Sequence, residues 1–412
     1  MLIYTCICAH GAVDSIKASE AFDLGSTPSG RTNIRRLHMT KRTKIWSTVI
    51  ISIVLLLFTS SIVFWGIILY KRARGSRQNY EALLGGANKV VLFVGDGMGD
   101  NHIKTASAYL ERNIFFTSFK TSGHCTTYSN AILSPTDSAA AASALSTGQK
   151  YDNKEVARHK GKDITTISEL AIAKGYNVGI VTTDSLDGAT PACFSSHANK
   201  RGDGDEIIKG QIASNIRLFL GGGKSTYDRF KEGFENAGYT YTSDYSNLNT
   251  GNNKIIGTFS SVKATNGTNE TPTLEMLTKF AIGYMEVNCP DGYFLMIEGA
   301  HIDKYSHDKE VFGMVEYLGN FDDSIKYTYD TIGSNEKTAI IVTADHETGG
   351  LNYKGQTKSQ INNKMYSRWG HTSREVPYYV HLQNSNIKPE NIFRKVIDNT
   401  DIFRMCKALL NV

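Results

Sequence analysis

The sequence predicts an α/β domain with a largely parallel sheet sandwiched by helices, preceded by one transmembrane helix, and three observations carry that prediction. Short β-branched or aromatic runs alternate with stretches of helical apolar spacing. Each run ends in a polar or glycine-rich turn, as strands of a parallel sheet do where they feed crossover helices. Residues 46–70 carry no Asp, Glu, Lys, Arg or His over 25 positions, which is long enough to cross a bilayer with some tilt.

Taken from the start, residues 1–38 show neither period, and 1–44 are expected as a basic, disordered segment. The signal-anchor helix is assigned to 45–70, a linker to 71–84 and one catalytic domain to 85–412. An apolar core of 25 residues exceeds the roughly 7–15 of a cleaved signal peptide. Arg31, Arg35, Arg36, Lys41, Arg42 and Lys44 precede the span, whereas Lys71, Arg72, Arg74 and Arg77 follow it. That excess predicts a cytoplasmic N-terminus and an extracellular or lumenal domain. The triplets Asn266-Gly-Thr268 and Asn269-Glu-Thr271 are glycosylation acceptor patterns, consistent with export.

The chain holds 45 Lys+Arg and 40 Asp+Glu, but residues 1–80 take 11 and 3 of these, leaving 34 against 37. The basic balance therefore belongs to the anchor and its flanks, and no nucleic-acid binding is expected. Of six cysteines, Cys6 and Cys8 precede the span and Cys125, Cys193, Cys289 and Cys406 follow it; none forms a C-x-x-C pair, which excludes a zinc ribbon.

Within the domain, strands are predicted at 90–95, 177–182, 293–297 and 338–343, and helices at 163–174, 273–286 and 308–332. Ligands of such sheets sit beyond the carboxyl ends of the strands. Asp96, Glu298, Asp345 and His346 occupy those ends.

Two further features carry chemistry. Ser138 follows Pro135 and opens an alanine-rich run, so it is predicted at a helix N-terminus, where free N–H groups and the dipole favour an alkoxide and a bound phosphate. Alone it reads as an ordinary N-cap serine. Asp303 and His307 stand four residues apart, which puts a carboxylate and an imidazole on one helix face, as a zinc pair requires. With Asp345-His346, Asp96 and Glu298 the set predicts a metal site. A phosphate monoester dianion repels nucleophiles, so its hydrolysis needs positive charge on several oxygens at once, together with a nucleophile held between them.

The turns Asp96-Gly-Met-Gly99, Thr136-Asp137-Ser138-Ala-Ala, Asp187-Gly-Ala-Thr190-Pro, Glu298-Gly-Ala-His-Ile-Asp303 and Ala344-Asp345-His346-Glu-Thr-Gly-Gly350 together resemble the alkaline phosphatases, in order and over residues 88–380. The resemblance implies two zinc ions and one magnesium ion. Asp345, His346 and Asp96 would hold one zinc; Asp303, His307 and His371 the other; Asp96, Thr190 and Glu298 the magnesium. Ser138 would become the phosphorylated serine and Arg201 the phosphate clamp. Gly188 departs from the pattern, since bacterial members place Asp there and animal members His; neighbouring Asp187 is the expected substitute. Lys304 follows the bacterial pattern, and the 24 residues between His346 and His371 leave little room for the crown-like insertion of animal members. His197, His301 and His381 are expected to be structural or surface residues.

The implied function is hydrolysis of small phosphate monoesters to inorganic phosphate through a phosphoserine, with a rate rising above neutral pH, by a membrane-anchored homodimer. The same metal framework resembles that of phosphodiesterases and sulfatases, the enzymatic alternative. The other alternative is a non-catalytic ectodomain, against which stands a complete set of Ser138 and zinc ligands.

Overall fold

A computed structural model describes residues 49–62, 80–131, 134–388 and 392–412. The chain divides into two compact units, Met1–Ala73 and Arg74–Val412. In the first, 49–62 are helical with exposed apolar side chains such as Leu56 and Phe58. The rest of the expected 45–70 helix, with segment 1–44 and linker residues 71–79, lies outside the described residues. Among the described residues no helix is long and apolar enough to cross a membrane.

The second unit is built on a ten-stranded sheet. Its strands are β1 (Lys89–Val94), β2 (Thr121–Thr126), β5 (Asn177–Ser185), β6 (Leu218–Gly222), β7 (Tyr239–Thr242), β8 (Lys254–Thr258), β9 (Tyr293–Glu298), β10 (Thr338–Thr343), β13 (Val376–Gln383) and β14 (Val396–Asp398). They lie in the order β14-β2-β13-β10-β1-β9-β5-β6-β8-β7. The short pairs β3 (Arg158–His159) with β4 (Lys162–Asp163) and β11 (Glu347–Thr348) with β12 (His371–Thr372) stand apart. From β10 to β7 every pairing is parallel; β13 alone runs antiparallel to both its neighbours.

Every residue of β9 and β10 is buried. Continuous burial of such apolar runs means that both faces of the sheet are covered, as parallel strands require. The four predicted strands are present; of the three predicted helices, that at 163–174 starts only at Ile167, because Asp163 lies in β4 and Thr166 caps the helix, and the last is interrupted. The 308–332 helix starts at Val311, because Lys309 takes φ +58 and ends the short helix His301–His307 first. Tyr80 and Leu83, assigned to the linker by sequence, are buried in this unit, so its packing begins before residue 85.

Register places the site. Val94 is paired with Thr343 on one side and with Glu298 on the other, and Glu298 is paired in turn with Thr182 of β5. β10, β1 and β9 therefore end level with one another, β5 runs three residues further to Ser185, and the turns after them open onto one edge. The chain leaves β9 for β10 on one side and leaves β5 for β6 on the other, so its direction reverses between β9 and β5, which is the switch-point geometry that creates a crevice.

Candidate active site

Asp96 enters this edge on the turn after β1. Gly97 has φ +73, and a Cβ there would lie 2.8 Å from Asp303 Cα, so both the turn and the close approach of the Asp303 helix require glycine. The Gly97 N–H donates to Asp345 Oδ1 at 3.1 Å. Two ligand-bearing turns are thereby locked together.

Ser138 is the first residue of the helix Ser138–Thr147, whose N-cap is Asp137. Asp137 Oδ1 accepts from the N–H groups of Ala140 and Lys154, each at 3.0 Å, while Oδ2 lies 3.7 Å from Arg201 Nη1. One carboxylate caps the serine helix and tethers the arginine. Ser138 is 3% exposed, and its Oγ donates to His346 Nε2 at 3.2 Å.

The histidine tautomers follow from their outer partners. His371 Nδ1 donates to the Thr136 carbonyl at 2.8 Å, which leaves its Nε2 lone pair facing Asp303 Oδ1 at 3.8 Å and His307 Nε2 at 3.0 Å. His307 Nε2 lies 3.4 Å from Asp303 Oδ2. His346 Nδ1 faces Thr348 Oγ1, whose own proton goes to Asp303 Oδ1. His346 Nε2 is then free toward Asp345 Oδ2 at 3.2 Å and Asp96 Oδ1 at 3.5 Å. Two donor clusters result, Asp96 with Asp345 and His346, and Asp303 with His307 and His371. The donor atoms of the first lie within 4.8 Å of one another, and Asp303 and His371 come equally close to His346. In a tetrahedral zinc site, donor atoms stand about 3.3 Å apart.

On the other side of Asp96, Glu298 accepts from Thr182 Oγ1. Thr190, on the helix Ala189–Ser195, is 1% exposed. Its Oγ1 makes no hydrogen bond of good geometry but is near enough to Glu298 to favour that group's charged form.

Electrostatics tests whether cations fit. Asp96, Glu298, Asp303 and Asp345 are all buried. Burial and then the charges of Asp345, Asp303 and Glu298 push Asp96 well above the carboxylate range, with Arg201 pulling the other way. Burial and Asp184 raise Glu298 to about 8; burial and Asp303 raise Asp345 to about 6. Burial, followed by the neighbouring His371 and His307 imidazoles, pushes His346 well below the ordinary imidazole value. Asp96 Oδ1, Asp345 Oδ2 and Thr190 Oγ1 are buried without a hydrogen-bond partner. Orphaned buried oxygens among repelling carboxylates are costly in a protein alone and fit bound cations. Carboxylate with imidazole suits zinc, and the all-oxygen set suits magnesium.

The model of the family described as alkaline phosphatase matches residues 87–392. The chain belongs to the alkaline phosphatase family. It is similar to alkaline phosphatase 3 of Bacillus subtilis, 34% identical over 287 residues covering 63% of this chain and 61% of that one. It is also similar to the repressible alkaline phosphatase of Saccharomyces cerevisiae, 28% identical over 91% of this chain and 71% of the yeast protein. Among solved structures, alkaline phosphatase from the Antarctic bacterium TAB5 superposes with a TM-score of 0.66 at 25% identity, covering 79% of this chain and 98% of that one. The chain spans about three fifths of the length of the two B. subtilis relatives, 61% and 62%.

All ten residues singled out by sequence lie about this edge of the sheet. The three other histidines are engaged elsewhere. His301 stacks on Tyr317 with centroids 4.6 Å apart, His197 pairs with Glu169, and His381 bonds the Gly333 carbonyl. Asp187 is not the neighbour of Gly188 that turns inward. It accepts from Ser185 Oγ, while Asp184 faces Gly188. Sequence reasoning also passed over Asp137 and Thr348, whose only signal was closeness to Ser138 and His346, and Thr182, which carried no local signal. Cys125, Cys193, Cys289 and Cys406 are free and buried.

Proposed function

We propose that this chain hydrolyses phosphate monoesters through a phosphoserine on Ser138. The observation that carries the reading is the position of Ser138 Oγ, at a helix N-terminus and 3.2 Å from His346 Nε2. Asp96, Asp345 and His346 would hold one zinc, Asp303, His307 and His371 a second, and Asp96, Thr190 and Glu298 a magnesium. When bound, such cations supply positive charge to the attacking and leaving oxygens and favour their deprotonated forms.

The protein's own groups do the rest. Arg201, tethered by Asp137, offers its planar fork to two phosphate oxygens. Unbonded N–H groups of the serine helix face the same phosphate. Ser138 Oγ attacks phosphorus as the ester P–O bond breaks and the alcohol leaves. Water then attacks the phosphoserine, releasing inorganic phosphate and restoring the hydroxyl. His346 and His371 are oriented with Nε2 toward the carboxylates because Thr348 Oγ1 and the Thr136 carbonyl accept from their Nδ1–H groups.

Membrane attachment through residues 45–70 and self-association as a homodimer complete the proposal. The first is supported by the apolar run and by exposure of Asn266 and Asn269, the acceptor asparagines of an exported surface. The second is supported by the family resemblance. The test of function is hydrolysis of a nitrophenyl monoester by the full chain before and after chelation, beside the diester and the sulfate. Monoester turnover that vanishes on chelation and returns with zinc and magnesium is expected. Preference for the diester or sulfate, or turnover indifferent to chelation, would sink it.

A further inference from the structure

Residue 188 is glycine for space, not for backbone freedom. Its φ is −56, which any residue adopts, yet a Cβ built there would meet Asp184 Oδ2 at 2.7 Å, the Ser185 carbonyl oxygen at 2.9 Å and Asp184 Cγ at 3.1 Å. The place next to Thr190 where a side chain on residue 188 would project is filled by the carboxylate of Asp184.

Several independent contacts hold that carboxylate there. Asp184 Oδ1 accepts from Lys304 Nζ and from the Ser185 N–H, the latter at 2.7 Å, which leaves Oδ2 turned toward residue 188. β5 breaks register with β6 between Val181 and Ser185, the kind of irregularity that re-aims a side chain. The Asp184 N–H donates at 2.8 Å to Thr182 Oγ1, and that hydroxyl passes its proton to Glu298 Oε2. Asp184 and Glu298 therefore flank one hydroxyl. Lys304 adjoins Asp303 on the helix His301–His307, so the same ion pair ties the β5 edge to the other half of the site.

We propose that Asp184, held by Lys304, is the positioning residue that completes the magnesium site of this chain, taking the role left open by glycine at 188. This rests on the reading of the site given above. Magnesium keeps several waters when it binds protein, and those waters need acceptors. A carboxylate whose side chain is 22% exposed, which faces residue 188 and whose charge acts on Glu298, supplies one. An all-oxygen environment also selects magnesium over zinc, which an imidazole in the same place would not. Asp187 cannot serve, since Oδ1 is engaged by Ser185 and Oδ2 faces the 202–204 loop, 3.2 Å from where a Cβ on Gly204 would be.

The test is magnesium titration by calorimetry into the full-length, zinc-loaded protein, with zinc content and melting temperature read on the same samples. Asp184→Asn keeps the shape and the bond from Ser185 but loses the charge. It should bind magnesium about 10–100-fold more weakly with zinc content and melting temperature unchanged. Lys304→Gln should weaken magnesium in the same direction, and Asp187→Asn should leave it unaltered. Wild-type magnesium affinity in Asp184→Asn overturns the proposal while leaving the phosphatase reading intact. A wild-type protein that takes up zinc but no magnesium overturns both this proposal and the magnesium assignment beneath it.

Discussion

His371 Nδ1 donates to the carbonyl of Thr136 across 2.8 Å, joining the strand β12 to the turn that presents Ser138 two residues later. The bond fixes the ring and its tautomer, so that Nε2 meets Asp303 and His307 with its lone pair. His371→Ala should lose about one equivalent of zinc and at least about 100-fold in turnover, beyond the loss typical of an outer partner. Metal analysis beside steady-state kinetics checks this, and full zinc content with full turnover in the variant would refute the placement.

Thr348 is such an outer partner, and it serves both donor clusters at once. Its hydroxyl proton goes to Asp303 and its oxygen faces His346 Nδ1. Thr348→Val removes both bonds at nearly constant volume. Zinc affinity should fall about 10–100-fold, measured by competition with a chelator; an unchanged affinity would mean the bridge is incidental.

Asp137 has two separable duties. As N-cap of the serine helix it should be worth about 1 kcal/mol, lost in Asp137→Ala and largely kept in Asp137→Asn, whose amide oxygen can still accept. As tether of Arg201 it needs its charge, so both variants should weaken inhibition by inorganic phosphate about fivefold, in line with about 1 kcal/mol for a partly exposed pair. Urea unfolding and phosphate inhibition measured together would show whether the two effects part company as stated.

Asp322 gives the fold a pH dependence away from the site. Its oxygens accept from the N–H groups of Phe115 and Phe116 at 3.0 and 3.2 Å, and burial, opposed by those bonds, raises its carboxyl to about 6. A folded-state value above the unfolded one means the protonated form is favoured by folding. Its contribution is complete below about pH 4 and is lost as the pH rises through about 6. Relative to Asp322→Asn, which does not titrate, wild type should lose roughly 2–3 kcal/mol between pH 4 and pH 7. Urea unfolding at each pH measures the gap; a gap that stays constant or moves toward wild type would contradict the assignment.

The sheet and most of the site were legible because strand period and ligand chemistry are local. Val90–Val94 announces a buried strand, and a carboxylate just past it marks the edge where β1, β9 and β10 end together. Asp303 and His307 share a helix face by spacing alone. Less was legible where the deciding contacts join residues far apart in the chain. Asp184 and Lys304 are 120 residues apart, and choosing Asp187 as the substitute for the residue missing at 188 followed sequence adjacency where the irregularity in β5 turns Asp184 inward. Thr348 and Thr182 look like ordinary polar residues until the direction of each hydroxyl proton is traced.

The central claim is that Ser138 Oγ forms the bond to phosphorus. Its most direct test is acid quenching of the full-length protein during turnover of a phosphate monoester, followed by peptide mapping. The account predicts one phosphate on the peptide bearing Ser138, with both label and turnover absent in Ser138→Ala while zinc content persists. Phosphate found on another residue, or sustained turnover by Ser138→Ala, would contradict it.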